Sequence, residues 1–445
     1  MDLFDKRVIG YESTKETLRQ ILDILRHRSY YEARGASVPH GLFMVSAPGL
    51  GKSLLATTFM EESGRNCTIF HKDSDEESFL DSLREAFLIA RQSAPSVLLL
   101  EDINLYADSP TPYGPQWAAL QSAIDDVVKD DDVFVIATAN TTHCIPDSLL
   151  RPGRFDYTIT LDPPKGKIAE RIAAHYLKDK PLGDDVLVSD IVRAMGGSAS
   201  CAALEAVMNV ASINSCYRGS EKIDKADLIE AILQVVYKIK RDDDEKNPDI
   251  GQIALHEAAH VVVADVLKPD SVALVTLRKN GCRQGMTQYC CDGEISTETD
   301  LLNLAIKSLA GKAGVEMVYG TFDIGAGEDL QTAAGYVRQW IESFGGSGFS
   351  GIVWRQSGAS ETLLAQNEKT ASAKLEELYR TAQDILRENH DFLMAVQKAL
   401  LEQETLLGSD IAAIRDCFKS SSATTNNFIT KFDEQLRVTR TACNT

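Results

Sequence analysis

The sequence predicts an α/β fold followed by a mainly α fold: a parallel sheet with a phosphate-binding loop and a helical lid, then a mainly helical domain with an HExxH motif. Three observations predict this class. Short β-rich runs alternate with helical stretches over residues 1–166, a glycine-rich loop follows the first run, and the pattern then turns helical. A length of 445 residues also exceeds what one hydrophobic core supports, so about two or three domains are expected.

The first domain, residues 1–166, is predicted to contain a set of buried strands. The segments between them are long enough for crossover helices, which parallel strands require. The strand runs are 41–45, 67–70, 97–100, 133–139 and 157–161. We therefore expect an α/β subdomain built on a parallel sheet.

Later segments divide the chain further. Residues 167–240 are predicted to form a helical lid, 241–251 an acidic linker that cannot bury itself, and 252–418 the second domain. A β insert is expected over 271–291, and residues 419–445, rich in Ser, Thr and Asn, are expected to form a flexible tail. The predicted helices lie at 172–177, 202–216, 225–239, 300–319, 329–343 and 370–404.

Composition excludes several classes of function. The net charge of -19 argues against a nucleic-acid partner, because that affinity comes from clustered Lys and Arg. No apolar run reaches the ~18–20 residues that span a bilayer, and the charged start lacks a signal-peptide core. The nine cysteines show no regular spacing, so no disulfide framework is expected. These features predict a cytoplasmic protein. It would be associated with a membrane only if an N-terminal anchor precedes this chain.

A glycine-rich loop follows the first predicted strand. Its residues, with the first of the next helix, are Ser46, Ala47, Pro48, Gly49, Leu50, Gly51, Lys52, Ser53 and Leu54. Glycines let successive backbone N–H groups point at phosphate oxygens, and the following helix start adds positive potential. Lys52 is expected to reach the β and γ phosphates of ATP, and Ser53 to bind Mg²⁺. Because Ser46 replaces the usual first glycine, a vestigial loop is the alternative.

Polar residues also follow two other predicted strands. Glu101 and Asp102 end the third strand, where a P-loop ATPase needs acids for Mg²⁺ and for the attacking water. Asn140 follows the fourth strand and can orient that water. Arg151 and Arg154 flank a Pro-Gly turn. By themselves they would indicate surface ion pairs. Together with the other elements they predict arginine fingers that act on the nucleotide of a neighbouring subunit.

The helical run 252–267 contains an HExxH motif. His256 and His260 are four residues apart and share one helix face, so they can bind one Zn²⁺. Glu257 is then placed to deprotonate the attacking water as general base. Chance matches to this motif are common, and a third ligand is required, so the motif alone leaves catalysis and coincidence equally open.

Together these segments resemble the FtsH family of ATP-dependent zinc metalloproteases over about residues 4–415. Residues 8–41, the glycine-rich loop and 149–156 resemble the AAA+ module of that family. Residues 256–260 resemble its HEAGH segment, and Gly325 to Leu330 resembles its Gly-Ala-x-x-Asp-Leu segment.

The resemblance implies further roles. It implies that Asp329 is the third zinc ligand and that Glu316 is an acid beside a ligand histidine. Without the resemblance, Asp329 would be interpreted as an acid at a helix N-terminus and Glu316 as a solvated helix residue. It also places Ile9, Gly10 and His175 at the nucleotide. It implies Zn²⁺, ATP and Mg²⁺ as cofactors, a homo-hexameric ring, and protein substrates that pair as an added strand with residues 285–289.

The chain departs from the family pattern at two places. The usual Asp-then-Glu order is reversed as Glu101 and Asp102, and the expected aromatic pore loop falls on the acidic residues 73–78. We therefore expect an ATP-dependent zinc endopeptidase for unfolded or flexible proteins, with weakened ATPase and unfolding activity. The alternatives are a nucleotide-gated scaffold or binding ring, and an ATP-independent zinc peptidase that uses nucleotide only for assembly.

Overall fold

A computed structural model describes the chain over most of its length. The described residues are 2–72, 79–106, 114–130, 132–196, 199–239, 249–279, 284–290, 297–321, 324–353 and 360–421. The chain divides into two compact units, Met1–Lys178 with Ser198–Ala206, and Asp179–Gly197 with Val207–Thr445. Residues of the predicted lid therefore fall in both units, and the predicted domain boundaries stay a prediction.

A five-stranded parallel sheet forms the centre of the first unit, in the order β2-β3-β4-β1-β5. Its strands are β1 (Gly41–Val45), β2 (Asn66–Phe70), β3 (Ser96–Leu100), β4 (Val133–Ala139) and β5 (Tyr157–Thr160). The predicted parallel α/β sheet is thus confirmed. Because β1, β3 and β4 are neighbours, the loops after these strands meet at the carboxyl edge of the sheet, where such sheets bind ligands.

Helices cover both faces of this sheet. They are α1 (Leu3–Arg7), α2 (Glu12–Arg26), α3 (Arg28–Glu32), α4 (Lys52–Ser63), α5 (Phe79–Gln92), α6 (Pro115–Asp130) and α7 (Gly166–Leu177). Alternate β1 side chains point to opposite faces, so Leu42 and Met44 pack with Phe59 of α4, whereas Phe43 lies in a second cluster with Trp117 of α6. Burial on both faces explains the continuous apolar runs of the sequence.

The second unit is mainly helical around one buried helix. Its elements, with α9 shared between the units, are α8 (Val188–Ala194), α9 (Cys201–Tyr217), α10 (Lys225–Val235), α11 (Ile250–Leu267), β6 (Val272–Thr276), β7 (Met286–Tyr289), α12 (Glu298–Tyr319), α13 (Gly327–Glu342), α14 (Glu361–Glu388), α15 (His390–Gln403), β8 (Thr405–Leu407) and α16 (Gly408–Ser421). Helix α11 packs against α12 and α15, and the three strands form an antiparallel sheet in the order β7-β6-β8. Among the described residues, α11 alone is long and apolar enough to cross a membrane, but 67% of it is buried inside the protein. An all-round apolar helix is typical of a core position.

Some of the predicted helices and strands differ from those in the structure. The stretch predicted as one helix over 370–404 is two helices, α14 and α15, separated at Asn389, whose side chain donates to the Ile385 carbonyl. Helix α11 begins at Ile250, inside the predicted linker. Strand β8 was not predicted, because a three-residue run has no readable period. The acidic stretch 73–78, most of the linker and the end of the tail lie outside the described residues.

Candidate metal centre and nucleotide site

Two histidines and one aspartate converge in the second unit. Helix α11 carries His256 and His260 one turn apart, and the first turn of α13 brings Asp329 to them. The Nε2 atoms of the histidines are 3.1 Å apart, and Asp329 Oδ2 lies 3.1 Å from His256 Nε2 and 3.3 Å from His260 Nε2. Among the described residues, this is the one group of His, Cys, Asp and Glu side chains close enough to hold a metal ion.

The group has the geometry of a zinc site. Ligand atoms at ~2.0–2.2 Å from a tetrahedral Zn²⁺ lie roughly 3.3–3.5 Å from one another, close to the three observed separations. His260 Nδ1 donates to the Lys307 carbonyl of α12 at 2.8 Å, which leaves the Nε2 lone pair directed into the group. Both imidazoles are buried, so the residues present fit the metal.

The electrostatics of the group favour a bound cation. Burial raises the pKa of Asp329, but hydrogen bonds from the protonated forms of His256 and His260 outweigh burial and hold that pKa well below its usual range. Burial lowers the pKa of His260, and the hydrogen bond and charge of Asp329 outweigh it, so the net pKa is raised. The carboxylate is thus stabilised by positive charge between the rings. A divalent cation supplies such a charge, just as protons on the rings do.

Helix α12 approaches the metal group closely at a glycine. A Cβ atom on Gly311 would lie 2.7 Å from His256 Nδ1 and closer still to Nε2. Only a residue without a side chain leaves room for this imidazole between α11 and α12.

The predicted base lies next to the group. Glu257 is only 7% exposed, and its Oε2 accepts a 2.6 Å hydrogen bond from Thr287 Oγ1 on β7. Strand β7 pairs only with β6 within the described sheet, so its other edge has no strand partner among the described residues.

The expected role of Glu316 is wrong. Its carboxylate accepts hydrogen bonds from Lys312 Nζ at 2.7 Å and from the Tyr379 hydroxyl, which joins α12 to α14. The side chain lies on the side of α12 that faces α14, and it contacts neither ligand histidine. Sequence separation alone could not distinguish these two faces of the helix.

In the first unit, Lys52 connects the glycine-rich loop to the neighbouring strand. Gly49 and Gly51 have φ of 77° and 94°, values that favour glycine. Lys52 Nζ donates to the Ser46 carbonyl at 2.9 Å and to Asn140 Oδ1 at 2.8 Å. Burial lowers the pKa of Lys52, and the charge of Asp102 partly opposes this shift.

The two acids after β3 point in different directions. Asp102 Oδ1 accepts from Asn140 Nδ2 at 3.2 Å, so Lys52, Asn140 and Asp102 form one hydrogen-bonded chain. Glu101 Oε2 instead lies 2.9 Å from Nδ1 of His71, just after β2. The structure thus brings the loop lysine, the polar Asn140 and one acid together at the carboxyl edge of the sheet.

The two arginines differ in availability. Arg154 donates to both oxygens of Asp125, from Nε at 2.7 Å and Nη2 at 2.8 Å, and to the Ser148 carbonyl. Arg151 is exposed. Bidentate pairing holds Arg154 within its own chain.

The remaining predicted nucleotide residues are Ile9, Gly10 and His175. Gly10 is buried, with φ of 80°, and a Cβ there would lie 2.5 Å from Ile168; Ile9 precedes it and is half-buried. His175 lies in the last turn of α7, where its ring packs on Tyr176. No hydrogen bond or ring contact joins His175 to the loop within the described ranges.

Sequence reasoning missed several contacts of the predicted site residues, among them those with His71, Asn104, Thr287 and Gly311. Asn104 Oδ1 accepts from the Asn140 backbone at 2.8 Å. A glycine inside a long predicted helix is a signal of close packing, which could have identified Gly311. The other three depend on contacts between separate strands and loops, which one sequence does not reveal.

Comparisons with known proteins match both units. The chain matches the sequence model of the ATPase family associated with various cellular activities (AAA) over residues 42–163, and that of Peptidase family M41 over residues 244–414. It is 28% identical over 437 residues to the ATP-dependent zinc metalloprotease FtsH of Caldicellulosiruptor bescii, covering 91% of this chain and 70% of that protein. It is 26% identical over 427 residues to the ATP-dependent zinc metalloprotease FtsH 2 of a Thermoanaerobacter species, covering 92% and 82%.

Proposed function

Because this chain belongs to the FtsH family of ATP-dependent zinc metalloproteases, we propose that His256, His260 and Asp329 bind its zinc and that Glu257 is the general base. The chain is a peptidase with an ATPase domain. Its cofactors are Zn²⁺ and ATP, and ATP usually binds together with Mg²⁺. The observation that carries the proposal is the set of separations of 3.1–3.3 Å among the three ligand atoms.

The proposed reaction is hydrolysis of a peptide bond beside β7. Bound zinc acts as a Lewis acid that polarises the carbonyl and lowers the pKa of water. An extended substrate pairs with the open edge of β7, which brings its scissile bond beside Glu257. Glu257 takes a proton from the water that attacks the carbonyl carbon and returns it to the leaving nitrogen as the C–N bond breaks.

We propose that ATP binds at the glycine-rich loop of the first unit. The ammonium of Lys52 moves from the Ser46 carbonyl to the β and γ phosphates, and Asn140 and Asp102 orient the attacking water. Arg151 is the better candidate for a finger acting in trans, since Arg154 is already paired with Asp125.

A site completed by a neighbour's arginine requires heterologous contacts, which stay finite only in a closed ring. We therefore propose a homo-hexamer with protein substrates. We also propose a cytoplasmic location. The free thiols of Cys67, Cys144, Cys201 and Cys216 support it, because a reducing compartment keeps cysteines in the thiol form.

The proposed substrates are unfolded or flexible proteins. Asp102 is one methylene shorter than the glutamate expected at its position, so its carboxylate reaches less far towards the attacking water. A slow ATPase would limit the unfolding of stable domains but not the cleavage of accessible chains. The scaffold alternative is disfavoured because the metal group is complete.

Metal analysis and one substitution test this proposal. We expect about one zinc per chain after purification without chelator, because two imidazoles and one carboxylate leave an open position for water. Glu257→Gln should keep the zinc and the fold but abolish peptide cleavage, since an amide cannot accept the proton. A chain that neither contains nor binds zinc would refute the ligand assignment, and parental cleavage by the Gln variant would refute the base.

A further inference from the structure

Strand β7 and the glycine just before it lie against the Glu257 carboxylate. Thr287 Oγ1 donates to Oε2 at 2.6 Å. The backbone of Gly285 lies beside the other oxygen, because a Cβ there would be 2.7 Å from Oε1 and 2.9 Å from Cγ. Thr287 of β7 and the preceding Gly285 therefore flank the two oxygens of the carboxylate.

We propose that Thr287 is a positioning residue: its hydroxyl fixes the rotation of the Glu257 carboxylate so that Oε1 receives the proton. The inference rests on the proposed function, in which Glu257 is the base. The terminal torsion of glutamate is broad, so a carboxylate without a donor samples many orientations. Catalytic groups must be held within about 0.5 Å and 10–20° of the productive geometry, and a short bond to a charged oxygen provides such a constraint.

Gly285, the residue just before β7, has a complementary role. A side chain at this position would occupy the space beside Oε1, so glycine keeps that oxygen accessible to water. Because Thr287 pairs with Val275 of β6, the strand is held from one side, while its other edge has no strand partner in the described part of the chain. The strand that orients the base is thus the strand on which the substrate is proposed to pair.

The same sheet offers a matched control. Thr276 on β6 is fully buried, and its hydroxyl bonds with that of Thr405 on β8 at 2.8 Å, away from Glu257. Removing this hydroxyl removes a structural hydrogen bond in the same sheet, whereas removing that of Thr287 removes one from the base.

The test compares Thr287→Val, Thr287→Ser and Thr276→Val in the full chain with a quenched fluorescent peptide. Thr287→Val should lower kcat by roughly 10- to 100-fold with KM changed less than about twofold, and Ser should restore most of the loss. Both Thr287 variants should keep the parental zinc content and remain folded. Thr276→Val should lower the unfolding midpoint and leave kcat unchanged.

Two further variants keep the test decisive. If Thr287→Val does not fold, Gly285→Ala replaces it and should lower kcat with zinc retained, because its methyl group displaces Oε1. In the Glu257→Gln background, Thr287→Val should leave the Kd of the uncleaved peptide unchanged, as measured by fluorescence anisotropy.

Parental kcat for Thr287→Val, failure of Ser to restore kcat, or an effect confined to KM or to zinc content would overturn the inference. An active Glu257→Gln variant would instead refute the proposed base. An inactive Gln variant beside a fully active Val variant would refute only the positioning role.

Discussion

Replacing Gly311 with alanine would place a methyl group against a ligand histidine. The new Cβ would lie 2.7 Å from His256 Nδ1, whereas ordinary contact begins at 3.4 Å, so the ring must move by at least about 0.7 Å. The ring cannot turn outward freely, because His256 is only 8% exposed. Zinc ligands tolerate errors of about 0.2 Å, so the displaced imidazole cannot keep its bond of ~2.0–2.1 Å.

We therefore expect Gly311→Ala to weaken zinc affinity by roughly 100-fold or more. Overpacking should also lower the free energy of unfolding of the metal-free chain by about 1–3 kcal/mol. Competition with a chromophoric chelator measures the zinc affinity, and thermal unfolding with and without zinc measures the stability.

Two glycines provide controls. An alanine at Gly314 would place its Cβ 2.6 Å from that of Ala259, in the same helix pair but away from the imidazole. Gly314→Ala should therefore lower stability while keeping most of the zinc affinity. Gly335 on α13 has open space, so Gly335→Ala should be neutral or stabilise by ~0.5–1 kcal/mol. Parental zinc affinity for Gly311→Ala, or equal zinc loss in Gly314→Ala, would refute the reasoning.

Three other predictions concern the metal and the ATPase. Removing zinc with a chelator should lower the unfolding midpoint of the parent and of Glu257→Gln equally. Zinc at ~100 times its Kd stabilises the fold by about 2.7 kcal/mol. A smaller shift for the Gln variant in calorimetry would contradict this prediction. Lys52→Ala should weaken ATP binding measured with a fluorescent analogue, and mixing it with an Arg151→Ala chain should restore some ATPase activity; no rescue in confirmed mixed rings would exclude a finger in trans. Glu101→Asp combined with Asp102→Glu should raise ATP turnover in a phosphate-release assay, and an unchanged rate would show that acid order is not limiting.

The sequence predicted those features that depend on local periodicity. Apolar runs between helical stretches predicted all five strands of the first sheet, and the i, i+4 spacing predicted that His256 and His260 share a face of α11. Strand β8 was missed because its three residues form no pattern, and the break at Asn389 lacks a Gly or Pro signal.

Contacts distant in sequence were harder to predict. Asp329 lies 69 residues from His260, so only a family resemblance suggested it as a ligand. The resemblance also suggested Glu316, which the structure places with Lys312 instead. The resemblance placed Thr287 on the edge strand 285–289, but its hydrogen bond to Glu257 could not be predicted, because that contact is set by packing between β7 and α11.

Degradation of an unfolded casein-like protein and of a stably folded reporter, each with and without ATP, tests the central claim most directly. We predict that the unfolded protein is cleaved, that a zinc chelator stops this cleavage, and that ATP stimulates it only weakly. The folded reporter should be spared, because pulling it apart requires overcoming roughly 5–15 kcal/mol of stability with a slow ATPase. Absence of zinc-dependent cleavage of the unfolded protein would contradict the peptidase assignment, and rapid ATP-dependent destruction of the folded reporter would contradict the weakened ATPase.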